Sequence, residues 1–195
     1  MAATPTRTTE PDTGASTREQ ILRVARHLIQ TRSYLGFSFQ DIADQVGIRK
    51  ASLYHHFPTK EALAVEVLRE AQRAFEVWSA GLRGTPQEQL AAYVQMYRKA
   101  LRAGQAMCPA GSFAPGWDCI HEELRQTVRE LRGVQIVWLS GVLGGLRPPG
   151  AGGSLGDAAA SVFAVCQGAL ATARMTGNVA DFEASLSALK GLYTH

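Results

Sequence analysis

Residues 39–63 read FQDIADQVGIRKASLYHHFPTKEAL, and the punctuation of this stretch decides how the chain around it folds. Ser38, with Asp41 three residues on, is a capping pattern that opens a short helix running to Val46. Gly47 ends it, because glycine alone reaches positive φ at little cost and so suits a sharp turn between two short helices. The second runs from about Arg49 to Phe57, after which Pro58 and Thr59 punctuate. Ile42, Ala43, Val46, Ile48, Leu53 and Phe57 are the apolar positions of this unit, and they require a third helix to close upon.

That helix lies upstream. Ser16 and Glu19 form a capping box, and Ile21, Val24, Ala25, Leu28 and Ile29 repeat at helical spacing to about Thr31. The first 15 residues, rich in Thr, Pro and Gly, bury too little apolar surface to order themselves and are expected to form a loose arm. Arg32 to Phe37 reads as a turn. Downstream, Lys60 to about Leu82 is one long helix striped by Leu63, Val67, Ala71, Phe75 and Trp78, the natural connector from this head to the rest of the chain. Gln87 to Arg102 is helical, Gly104 to Asp118 is irregular, and a long helix follows from about Cys119 to Leu146. RPPGAGG (residues 147–153) is a loop by composition, followed by an Ala-rich helix from Ser154 to Met175 and a last helix from Val179 to Tyr193. No β-strand or internal repeat emerges. The expected class is all-α with about nine helices: a loose arm (1–15), a helix-turn-helix head (16–62) and a body (63–195).

Composition narrows the function. With 46% hydrophobic and 19% charged residues, the 195-residue chain is neither disordered nor fibrous. The formal charge is +3; residues 1–60 hold eight Lys/Arg against five acids, and residues 61–195 hold twelve of each. The whole excess lies at one end, as expected when that end meets a polyanion. Three cysteines are too few for a disulfide framework, so reduced thiols are expected. The longest apolar stretches fall short of the ~20 residues that span a bilayer, and residues 1–16 lack an apolar signal core. A cytoplasmic protein with no membrane span is expected.

Two short helices on a third fit a major-groove reader, although an ordinary helical corner with a basic face fits the pattern equally well. The detailed string separates the two. Ile42-Ala43, Val46-Gly47, Leu53-Tyr54, Phe57 and Lys60-Glu61-Ala62-Leu63 strongly resemble the DNA-binding head of the TetR/AcrR family of bacterial transcriptional repressors, over about residues 17–65. For the remaining two-thirds of the chain, the resemblance implies only an all-α ligand-binding and dimerisation domain.

At matching positions it implies roles. Ser38 and Gln40 look like groove and phosphate contacts, with Phe39 departing from the small hydroxyl residue usual there. Lys50 sits where base readers occur, within reach of guanine O6/N7, and Ala51 and Ser52 are placed for a thymine methyl or a phosphate. Arg49 replaces the usual Ser or Thr, adding a contact or standing in for a lost cap. Tyr54 and Lys60 look like the family's phosphate clamp, with His56 supporting the same strand; His55 reads as exposed and Leu53 and Phe57 as core. The resemblance implies double-stranded DNA, a small-molecule effector and a second copy of the chain as partners, and no cofactor.

In the body, Phe75, Trp78, Tyr93, Met96, Tyr97, Met107, Cys108, Phe113, Trp117 and Trp138 cluster around the Pro/Gly-broken segment. Most read as core, but a broken segment between long helices makes a plausible pocket wall for an apolar or aromatic effector. Cys108 reads as a buried inert thiol or, at a helix start, as a reactive one. The regular faces of the last two helices suit either subunit core or pairing across a two-fold axis. In the second arrangement Ala159, Val162, Cys166, Ala169, Phe182, Leu186, Leu189 and Tyr193 are the interface. Cys119 and His121 have no second pair at metal-ligand spacing, and no catalytic constellation is found. The leading reading is a dimeric repressor released by a ligand. Its rivals are an all-α ligand-binding or enzymatic protein, and an activator with the same head.

Overall fold

Residues 16–104, 107–148 and 152–193 are described by the computed structural model, with side chains as far as Ser187. Among them are eight α-helices, two 3-10 segments and no strand. The expected loose arm and residues 149–151 of the expected loop lie outside the described residues.

Helix α1, Thr17–Arg32, begins where the capping box places it: the Glu19 carboxylate accepts from the Ser16 amide at 2.7 Å and the Ser16 hydroxyl accepts from the Glu19 amide at 3.3 Å. α2, Phe39–Val46, starts with the same device built from Ser38 and Asp41. It ends at Gly47, whose φ of 79° lies in the left-handed region and lets both Gly47 and Ile48 donate to the Ala43 carbonyl. α3, Lys50–His56, follows at once. Ile21, Leu22, Ala25, Leu28 and Ile29 of α1 are buried with Ile42, Ala43, Leu53 and Phe57, which is the closure that the apolar spacing requires.

α4, Lys60–Gly81, is capped by the Thr59 hydroxyl, which accepts from the Ala62 amide at 3.0 Å. Arg26–Glu70 (2.5 Å) and Arg18–Glu66 (3.7 Å) link α1 to α4. Such partly exposed pairs contribute at most about 1 kcal/mol each. The body adds α5 (Pro86–Arg102), α6 (Glu122–Leu146), α7 (Leu155–Thr176) and α8 (Val179–Tyr193), with α6 packed against α4, α5 and α7, and α8 against α7. α6 starts three residues later than expected because Cys119 closes a 3-10 segment, Gly111–Cys119, and Ile120 is extended.

Two expectations about α7 are corrected. It is 22 residues long, with a mean hydropathy of 1.3 over an 18-residue window, so by length and composition alone it could cross a bilayer. Its Val162, Phe163 and Leu170 are buried in the body, while of the residues it exposes Ser161, Ala164 and Gly168 are small, Asp157 and Arg174 are charged, and Met175 is a single large apolar side chain at the helix end. The hydropathy therefore reflects alanine rather than a surface band of large apolar side chains. Ala159, Val162, Cys166, Ala169, Phe182 and Leu186, the candidate contacts to a second copy, are 0–4% exposed within one subunit. Small residues on α7 let α8 approach closely, so their regular spacing serves the subunit's own core. The side chains of Leu189 and Tyr193 lie outside the described residues.

Head and body meet at the 3-10 segments. Phe113, fully buried, stacks on Tyr34 with ring centroids 5.3 Å apart. Gly116 lies so close to Leu35 that a Cβ there would come within 2.8 Å of its Cγ. Met107 and Gln30 are doubly bonded, amide to carbonyl at 2.8 Å and side-chain amide to carbonyl at 3.2 Å. His121, at the N-cap of α6, donates its amide to Glu61 at 2.9 Å.

Candidate nucleic-acid interface and buried cavity

α3 can hold a surface-reading role because its anchors are few and deep. Leu53 and Phe57 point into the head's core and leave Arg49, Lys50, Ala51, Tyr54, His55 and His56 exposed, with Ser52 half-buried. The helix itself carries no acid in its first turn and two histidines in its last, so the exposed face is basic. Arg49 occupies the N-cap position but makes no side-chain cap hydrogen bond, so its guanidinium is not spent on capping. Phe39 fills a place that the sequence left unexplained: it is buried, and its ring lies 5.1 Å from that of Tyr54, holding the exposed phenol against the first short helix. Gln40 is exposed and donates to Asp44 at 2.7 Å. The Ser38 hydroxyl donates to Asp41 at 2.6 Å, and these Ser38 bonds hold the Asp41 carboxyl below the usual carboxylate range.

Lys60 departs from expectation. Its ammonium is half-buried, donates to the Phe37 carbonyl, and lies 4.2 Å from the centre of the Phe37 ring and 4.5 Å from that of Tyr34. Burial lowers its pKa, and a phosphate contact would require it to leave three favourable partners. The aromatic pair after α1 draws it inward, a tertiary effect that no local pattern announces.

In the body, a cavity of about 260 Å³ lies between α1, α4, α5, α6 and α7. Of the ten candidate residues, Phe75, Trp78, Met96, Tyr97 and Cys108 line it. Tyr93 and Trp138 stand behind them in a ring cluster: Trp138 lies 5.8 Å from both Phe75 and Tyr93, and 5.5 Å from Trp78. The Tyr93 hydroxyl donates to Gln135 Oε1 at 2.9 Å and is 3.2 Å from the Tyr97 hydroxyl. Gln135 Nε2 in turn donates to the Leu131 carbonyl. Burial pushes both phenols well above their ordinary range and the Cys166 thiol up to about 12, so this layer is neutral.

Three candidates lie elsewhere. Met107 braces α1, Phe113 belongs to the head–body junction, and Trp117 lies under the guanidinium groups of Arg125 and Arg129. Aromatic content marks buried sites without saying which cluster each ring joins. Conversely, the cavity wall includes Arg26 and Gln30 of the head's own first helix. Their i, i+4 spacing puts them on one face, which was the only signal the sequence carried for them.

The family model for bacterial regulatory proteins of the tetR family matches residues 21–67, which span α1 to the first turns of α4. The similarity of solved structures runs well beyond the head. A TetR transcriptional regulator from Legionella pneumophila superposes with a TM-score of 0.84 at 26% identity, over 92% of this chain and 98% of the other. A TetR-family regulator from Agrobacterium tumefaciens gives 0.80 at 28% identity, over 89% and 95%. Residues 21–67 are thus a tetR-family head, and the chain as a whole shares the fold of TetR-family regulators. Among curated relatives, the HTH-type transcriptional repressor KstR2 of Mycolicibacterium smegmatis is 42% identical over 60 residues, which is 31% of this chain and only 29% of that repressor. Likeness at the level of residues is therefore concentrated in the head, while the body shares architecture.

Proposed function

We propose that this protein is a transcriptional repressor that binds a palindromic operator as a dimer and is released by a small molecule held in the body's cavity. The observation that carries this reading is the course of α4. Its first turn is anchored beside the basic α3 face, and Ala71, Ala74, Phe75 and Trp78 from its later turns wall the cavity. One rigid helix thus touches both sites, so an occupant that shifts its far half also shifts the head.

Two heads must stand about 34–36 Å apart to enter successive major grooves, and a small change in that span destroys the fit. Moving a dimer from mostly competent to mostly released requires an effector preference of about 5.5 kcal/mol for the released state. In the complex Arg49, Lys50 and Tyr54 lie against DNA, with Gln40, Ser52 and His56 at the margins and Ala51 on a thymine methyl.

The test is a fluorescence-anisotropy titration on near-palindromic duplexes drawn from the flanking promoter regions, repeated at several salt concentrations. One duplex is expected to bind at least 1,000-fold tighter than a scrambled one. Lys50→Ala should cost about 1–3 kcal/mol and relax discrimination at one base pair. Equal competition by scrambled and cognate duplexes rules the reading out.

A further inference from the structure

Arg26 belongs to the segment that matches the DNA-binding model, yet its side chain forms part of the wall of the body's cavity. Its Nη2 donates to Glu70 Oε2 at 2.5 Å, so its charge is already balanced. Its Nε is buried and has no hydrogen-bond partner. A buried arginine donor left without an acceptor is unfavourable, and native interiors rarely leave one so. The other polar wall groups are committed: Gln135 to Tyr93 and the Leu131 carbonyl, Gln30 to the Met107 carbonyl. Phe75, Trp78, Tyr97 and Leu170 make the rest of the wall a set of aromatic and aliphatic faces.

We propose that the cavity takes an uncharged aromatic molecule of one or two rings bearing a carbonyl-type oxygen, and that this oxygen accepts from Arg26 Nε on the DNA-binding head. The inference rests on the cavity being the effector site and adds what the site reads. Its volume of about 260 Å³ falls just below the roughly 300–1,000 Å³ of sites for drug-sized ligands, which suits one or two rings. Charge decides between acceptors. A carboxylate on the ligand would approach a guanidinium already neutralised by Glu70 and would meet that second carboxylate, whereas a carbonyl needs only the single unpartnered N–H. The bound molecule then bridges α1 to α4, α5 and α6, so occupancy registers directly on the head's first helix as well as on the connector.

Isothermal titration calorimetry on the full chain tests this with three probes of matched shape: 2-acetylnaphthalene, 2-ethylnaphthalene and 2-naphthoate. The ketone is expected to bind about tenfold tighter than the hydrocarbon, and naphthoate more weakly than the ketone. Arg26→Lys keeps a cation for Glu70 but removes the Nε donor. It should bring the ketone down to the hydrocarbon's affinity while leaving the hydrocarbon unchanged. Equal binding of ketone and hydrocarbon to the parent, or a ketone advantage that survives Arg26→Lys, overturns the proposal and leaves the effector cavity standing. Tightest binding of naphthoate overturns the claim of an uncharged ligand. If none of the three binds, the cavity fails as an effector site and the proposal falls with it.

Discussion

Leu53 in the head and Tyr93 in the body are equally buried, and they are buried to different ends. Leu53 is an anchor: with Phe57 it fixes a seven-residue helix so that its other side can face outward as a basic surface. Tyr93 is a strut, fixing Gln135 and Tyr97 at the edge of a cavity whose working surface faces inward. The head's candidate surface comes mainly from contiguous residues 38–56, while the body's wall draws on residues from 26 to 170. A surface built from adjacent residues tolerates drift in the rest of the chain, and one assembled from five helices does not. The identity to curated relatives likewise covers only about the length of the head.

Removing the head's anchor should produce the largest effect. Leu53→Ala is expected to cost about 3 kcal/mol, within the range for a fully buried leucine, and to abolish operator binding; urea unfolding and anisotropy together measure it. If binding persists with the stability lost, α3 is held by something other than its core. The corresponding change in the body is Tyr93→Phe, which keeps the ring and leaves Gln135 Oε1 without its donor. A loss of about 1–2 kcal/mol in urea unfolding is expected, with operator affinity unaltered when measured below the unfolding transition.

Lys60→Ala probes the boundary between the two regions. Because the ammonium is turned onto the Phe37 carbonyl and two rings, about 1 kcal/mol of stability should be lost, with the salt slope of DNA binding unchanged. A slope shallower by about 1 would show that the ammonium moves to a phosphate in the complex. The smallest effect concerns pH. The folded Asp41 and Glu19 carboxyls are held below their ordinary values by Ser38 and Ser16, so the caps contribute stability above about pH 4.5, and this is lost as pH falls through the depressed values. Urea midpoints between pH 3 and 6 should fall more steeply for the parent than for Asp41→Asn.

Much of the head was legible because its signals are local. Ser16–Glu19, Ser38–Asp41 and Gly47 each mark an element end through bonds that close within a few residues. In the same region the inward position of Lys60 was not legible, since it depends on Tyr34 and Phe37, more than twenty residues away. In the body the helices were legible to within a few residues, but their faces were not. The α7 pattern of small residues suits a neighbouring helix in the same subunit as well as one in a second copy, and periodicity does not distinguish the two. Only half of the ten pocket candidates line the cavity, for a similar reason: a side chain's burial is written in the sequence, but its neighbours are not.

The sequence by itself determined the all-α class, the order of the helices and the basic character of α3, because capping, turn chemistry and hydrophobic period all act within one or two helical turns. Only the tertiary structure decided that Arg26 walls the cavity, that Lys60 faces inward and that the α7 stripe belongs to the subunit's own core. Each of these depends on which helix lies across from it, and that is set by the packing of side chains far apart in the chain.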